Sequence, residues 1–107
     1  MNNLGQMMKQ AQEMQAKMAE LQEQLARTEV TGASGGGMIR VTLNGKGEMR
    51  AVTIDPALVD PNEVGVLEDL IVAATNDAKA KAEAKVAEKM RELTGGLGLP
   101  PGFSLPM

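Results

Sequence analysis

The stretch VTGASGGGMIRVTLNGKGEMRAVTIDP, residues 30–56, decides the fold. Thr28, Val30 and Thr31 are β-branched, Ile39, Val41 and Leu43 alternate with Arg40 and Thr42, and Val52 and Ile54 alternate with Thr53. Three strands follow, over about residues 28–33, 38–44 and 48–55. Gly35-Gly36-Gly37 separates the first two, and Asn44-Gly45 before Lys46-Gly47 supplies the positive-φ residues of a tight hairpin. The pattern is a three-stranded antiparallel meander with one covered and one wetter face. Three short strands bury little by themselves, so other elements must lie on them.

Those elements are helices on either side. Asn3 caps a helix with Gln6 three residues on, and Leu4, Met7, Ala11, Met14, Met18, Leu21 and Leu25 then recur at alternating spacings of three and four. That is a coiled-coil seam, flanked largely by Gln. A helix over about residues 3–27 is roughly 37 Å long, too long for one small sheet to cover, so part of it projects. After the meander, Asp60-Pro61-Asn62-Glu63 offers an N-cap acid, Pro at the first helical position and an N3 Glu. The second helix is expected over about residues 61–94, along Val64, Leu67, Ile71, Ala74, Ala78, Ala82, Val86, Met90 and Leu93, and Gly95-Gly96 stops it. Residues 1–96 form a single α+β domain, and residues 97–107, rich in Pro and Gly, form a tail. The chain order is α-β-β-β-α. The small Ala residues of the second seam should face the bulky Met and Leu of the first, with the helices side by side. Apolar surface left beyond the sheet suits a homodimer, with Met7, Met14, Met18, Leu21, Leu25, Ile71, Ala78 and Val86 as seam candidates.

Composition narrows the chemistry. The 107 residues include one Phe, nine Met, no Trp or Tyr, and neither Cys nor His. Disulfides, thiolate nucleophiles, the usual zinc ligands and the side chain that titrates near neutrality are absent, which argues against an enzyme and against any cofactor or metal. No apolar run reaches the roughly 18 residues of a membrane span, and Met1-Asn2-Asn3 does not resemble a signal peptide, so a cytoplasmic protein is expected. The net charge of −3 means that any nucleic-acid footprint is local.

Three groups of residues are candidates for chemistry. The glycine loop at residues 32–37 leads into a strand and lacks the Lys-Ser/Thr of a phosphate-binding loop, so it reads as a turn. Asp55, Asp60, Glu63, Glu68 and Asp69 sit where helix capping and the positive helix end account for them. The second helix is polarised: residues 55–69 hold those acids and no base, whereas residues 79–91 hold Lys79, Lys81, Lys85, Lys89 and Arg91 against Glu83 and Glu88. Lys81, Lys85 and Lys89 follow at i, i+4 and i+8, one residue before seam positions. Such a row suits phosphates along a duplex, and equally suits lysines whose stems cover a seam while their ammonium groups stay in water. Lys9 and Lys17 add to the polar face of the first helix. Arg40 and Arg50 lie on strands, where a wet face accounts for them.

The chain resembles the YbaB/EbfC family of bacterial nucleoid-associated proteins. The resemblance runs through Met8-Lys9-Gln10-Ala11-Gln12-Glu13-Met14-Gln15, Val30-Thr31-Gly32 with its glycine loop, Asn44-Gly45, Ile54-Asp55-Pro56, Leu67-Glu68-Asp69-Leu70, Asn76-Asp77-Ala78 and Leu99-Pro100-Pro101-Gly102-Phe103. Thr75 departs from it, since similar sequences often carry an aromatic residue there. The resemblance implies a tweezer-like homodimer with protruding helices. It implies a non-enzymatic protein of the cytoplasm and nucleoid that binds double-stranded DNA and alters its conformation, with roles in gene regulation, nucleoid organisation and DNA protection. DNA contacts then fall on the matching helix faces, with Lys9, Lys17, Lys79, Lys81, Lys85, Lys89 and Arg91 as candidates. A second layout also matches long helices beside a small β region: a prefoldin-like holdase or scaffold using Met-rich surfaces. Salt separates them, because phosphate binding weakens steeply with salt and apolar binding does not.

Overall fold

The structure, a computed structural model, describes residues 3–96, and for residues 94–96 the backbone alone; the expected tail lies outside this range. The order is α1 (Asn3–Arg27), β1 (Glu29–Ser34), a 3-10 turn (Gly35–Gly37), β2 (Ile39–Asn44), β3 (Met49–Ile54), a second 3-10 turn (Pro56–Leu58) and α2 (Val64–Gly96). The sheet is an antiparallel meander in the order β1-β2-β3. Gly32, Val41 and Val52 lie in one row across it, and Ser34, Ile39 and Ile54 in another. Thr42 pairs with Ala51 but Leu43 with Met49, so a bulge at Arg50 bends β3.

Period-two alternation puts Ile39, Val41 and Leu43 on one face of β2, and all three are buried. They meet Ala74 and Ala78 of α2, with Val30, Ile54, Leu58, Leu67, Leu70 and Ile71 packed around them. Contact here is backbone to backbone. A Cβ on Gly32 would lie 2.5 Å from the Ala74 carbonyl oxygen and 2.7 Å from Ala78 Cα. Ala74 and Ala78 of the α2 seam therefore do not receive the bulky seam of α1. They receive the sheet, because only side chains this small let a helix axis approach a strand so closely.

α2 also starts a turn later than its sequence suggests. Asp60 spends its carboxylate on the Asn62 N–H at 2.9 Å, and its carbonyl accepts from Glu63 N–H, which closes a separate turn. The first helical bonds run from Val66 and Leu67 N–H to the Glu63 carbonyl, so Glu63 takes the N-terminal boundary.

α1 joins the sheet only through its C-terminal end. Leu21 and Leu25 are buried, whereas every residue from 3 to 17 is exposed. The β2–β3 turn grips that end. Gly45 N–H donates to the carbonyls of Leu25 and Thr28 at 2.8 and 2.9 Å, and the buried Asn44 donates from Nδ2 to the Ala26 carbonyl at 3.2 Å. Asn44 Oδ1 meanwhile accepts from Lys46 and Glu48 N–H, and its Nδ2 reaches Glu48 Oε1 at 2.7 Å, so the side chain satisfies both turn and helix. The last carbonyls of α1 are thus capped by a hairpin. The result is elongated, 74 × 25 × 16 Å, and residues 3–17 of α1 lie uncovered.

Candidate nucleic-acid interface

The bases that stand out in the sequence do not converge on one surface. Lys17 and Lys89 line a groove between the helices with Glu20, Leu21, Gln24, Glu92 and Leu93. Lys81 and Lys85 lie in a different groove, shared with Val30, Thr31, Ala84 and Glu88. Lys79 faces the β2–β3 turn beside Lys46. Lys9, Lys17, Lys79, Lys81, Lys85 and Arg91 are exposed and Lys89 is half-buried. Helix geometry separates Lys79 from Lys81 by about 200° round the axis, while the drift of about 40° per step along Lys81, Lys85 and Lys89 carries Lys89 toward the groove beside α1. Nothing in the sequence singles out Lys46, which reads as a turn residue; only folding brings it to Lys79.

Lys81 is already engaged. Its Nζ donates to the Thr31 carbonyl at 3.1 Å and to Asp77 Oδ2 at 3.1 Å, one helical turn back. The same Asp77 oxygen accepts from Ala33 N–H at 3.0 Å. That backbone bond, followed by Lys81, holds the Asp77 carboxyl below its ordinary value. Asp77 carries no signal in the sequence beyond its place in a family-like tripeptide, because its partner is a strand residue 44 positions away.

The remaining candidates resolve into structure. Asp55 Oδ1 accepts from Ala57 N–H at 2.9 Å and starts a 3-10 turn, and Asp60 closes the turn described above. No group of three or more acidic, His or Cys side chains that could hold a metal occurs among the described residues. Arg40 stands on the sheet face away from α2, with Nε 3.4 Å from the Gly37 carbonyl, and Thr31 and Thr42 share a hydroxyl contact of 3.2 Å on that face. Of the seam candidates, Leu21, Leu25 and Ala78 are inside the protomer, Met18, Ile71 and Val86 are half-buried, and Met7 and Met14 are open. Thr75 turns its hydroxyl back to the Ile71 carbonyl at 2.7 Å, within its own helix.

Comparison with known proteins gives this arrangement a context. The model of a family described as the YbaB/EbfC DNA-binding family matches residues 1–97. A nucleoid-associated protein of Paramagnetospirillum magneticum is 68% identical over 99% of both chains, and one of Rhodospirillum rubrum is 63% identical over the same shares. An uncharacterized protein from Helicobacter pylori, known from its crystal structure, superposes with a TM-score of 0.65 at 28% identity, covering 87% of this chain and 94% of that one.

Proposed function

The chain belongs to the YbaB/EbfC DNA-binding family, and from that premise we propose that it binds duplex DNA as a homodimer and alters the path of the duplex. The observation that carries the proposal is the charge separation along α2. Lys79, Lys85 and Arg91 are exposed from its middle onward, while Glu68 and Asp69 lie in its first turns and Asp55, Asp60 and Glu63 precede it in the chain. A chain of net charge −3 thereby presents exposed bases on more than one side of α2, interspersed with Glu83, Glu88 and Glu92, where a duplex can reach them. Lys9 and Lys17 add further bases along the exposed part of α1. Contacts of this kind go to phosphates, so binding is strong in salt dependence and weak in sequence preference.

Dimerisation has its own support. α2 lies over β1 and β2, so Met49 and Val52 on the same side of β3 stay 49% and 40% exposed. A second copy that covers them would complete the core and double the exposed bases. The protein would then act in the cytoplasm, on the nucleoid, without catalysis, in gene regulation, nucleoid organisation and DNA protection. No described helix is long and apolar enough to cross a membrane.

Fluorescence anisotropy with a labelled duplex of arbitrary sequence, across a salt series and with the mass measured in parallel, tests the proposal. A dimer whose log affinity falls with log salt by about 0.9 per phosphate contact supports it. One feature favours a different reading: Leu4, Met7, Met8 and Met14 are exposed along α1, as an apolar client would require. Binding that holds or strengthens with salt would move the assignment to a holdase.

A further inference from the structure

β1 is an edge strand, and its outward backbone groups must find partners beyond the sheet. Thr31 and Ala33, two residues apart, turn to the same edge, and both are met from α2: the Thr31 carbonyl by Lys81 and the Ala33 N–H by Asp77. Gly32 between them is where the strand backbone touches Ala74 and Ala78. The polar contacts therefore close around the point of nearest approach between helix and sheet.

That placement matters because the seam beneath it is smooth. Ala74 and Ala78 against Gly32 allow close approach but interlock little; Leu67, Leu70 and Ile71, with Ser34 Oγ donating to the Leu70 carbonyl at 2.6 Å, fix the N-terminal half of α2 and leave the rotation of its C-terminal half less firmly set. Two directional hydrogen bonds to successive groups of one strand edge supply what the seam lacks. The rotation they select decides where Lys85 and Lys89 point, about 40° and 80° round from Lys81. The ion pair itself is half-exposed, at 53% and 42% for the two side chains, so its effect lies in geometry more than in stability.

We propose that Asp77 and Lys81 are positioning residues that clamp α2 to the edge of β1, and that Lys81 serves DNA binding through this clamp and not by contacting phosphate. The role rests on the DNA-binding reading above. It divides the Lys81, Lys85, Lys89 row, uniform in sequence, into one structural lysine and two outside the clamp, Lys85 exposed and Lys89 half-buried in the groove beside α1.

The sign of one substitution decides between the clamp and simple charge. Asp77→Ala removes a negative charge and releases Lys81, so charge alone predicts tighter binding, whereas the clamp predicts weaker binding by about fivefold. The full-length protein is measured on a duplex of arbitrary sequence over a salt series. Lys81→Met should match Asp77→Ala with the salt slope unchanged, Lys81→Arg should retain affinity, and the double variant should be no weaker than either single one. Lys85→Met, as the comparator, should lower the slope by about 0.9 for each phosphate that it leaves unneutralised. Tighter or unchanged binding by Asp77→Ala, or a reduced slope in Lys81→Met, overturns the proposal. Amide exchange at Ala33 reads the clamp without DNA and should accelerate in both variants; unchanged exchange overturns the clamp itself. Wild-type protein that shows no salt-dependent DNA binding while Ala33 exchange still responds would sink the DNA role of Lys81 together with the DNA reading, and leave the contact as structure alone.

Discussion

α1 carries the bulkier apolar seam and α2 the smaller one, yet it is the smaller one that is buried. Ala74 and Ala78 are fully inaccessible, whereas Met7 is 62% and Leu4 67% exposed. Hydrophobic payload per residue does not decide which seam goes inside. Distance does, because a backbone that must pass within contact of Gly32 has room only for methyl groups. Large side chains at Ala74 or Ala78 would hold α2 off the sheet and leave Ile39 and Val41 half-covered.

Several substitutions break or sharpen this contrast. Gly32→Val should do the most damage, since its Cβ meets helix backbone that has no side chain to move aside; a loss of about 3 kcal/mol or more, or failure to fold, is expected in urea titration. Ile39→Ala, at a fully buried site, should cost about 3 kcal/mol with the fold retained. Val52→Asp, on the open side of β3, should convert a dimer to a monomer by mass while far-UV circular dichroism stays the same. Met7→Gln with Met14→Gln, on the bulky but exposed seam, should change protomer stability by less than about 0.5 kcal/mol. A larger loss that depends on protein concentration would show that a partner covers this seam as well.

Acid gives the smallest and most local effect. The folded Asp77 carboxyl titrates below its ordinary value of 3.8, so its contribution is complete above the unfolded value and fades as pH falls through the lower folded one. Protection of the Ala33 amide should therefore persist at pH 5 and decline only in the more acid range. A decline already near pH 6 would place the carboxyl elsewhere.

The α-β-β-β-α order is legible in sequence because it rests on local signals, strict alternation in β2 and the Asn-Gly-rich hairpin, although only Gly47 of that turn takes a positive φ and Gly95-Gly96, expected to stop α2, are its last described residues. What lies opposite each face is not legible. The Ala line of α2 announces close packing but not against what; matching small to large points it at α1, and the sheet takes Ala74 and Ala78 instead. Asp60-Pro61 looks like a helix start, yet its carboxylate closes a turn of its own, and no periodicity distinguishes those two uses. The equal spacing of Lys81, Lys85 and Lys89 hides the Thr31 carbonyl that singles out Lys81, a contact spanning 50 positions. Nor does alternation in β3 reveal that no described helix covers Val52.

The most direct test is charge reversal at the two lysines outside the clamp. Lys85→Glu with Lys89→Glu, measured on duplex DNA at low salt, should lower affinity by about a hundredfold or more and flatten the salt slope, with helix content and mass unchanged. Affinity within twofold of the wild type would contradict a DNA surface on the C-terminal half of α2.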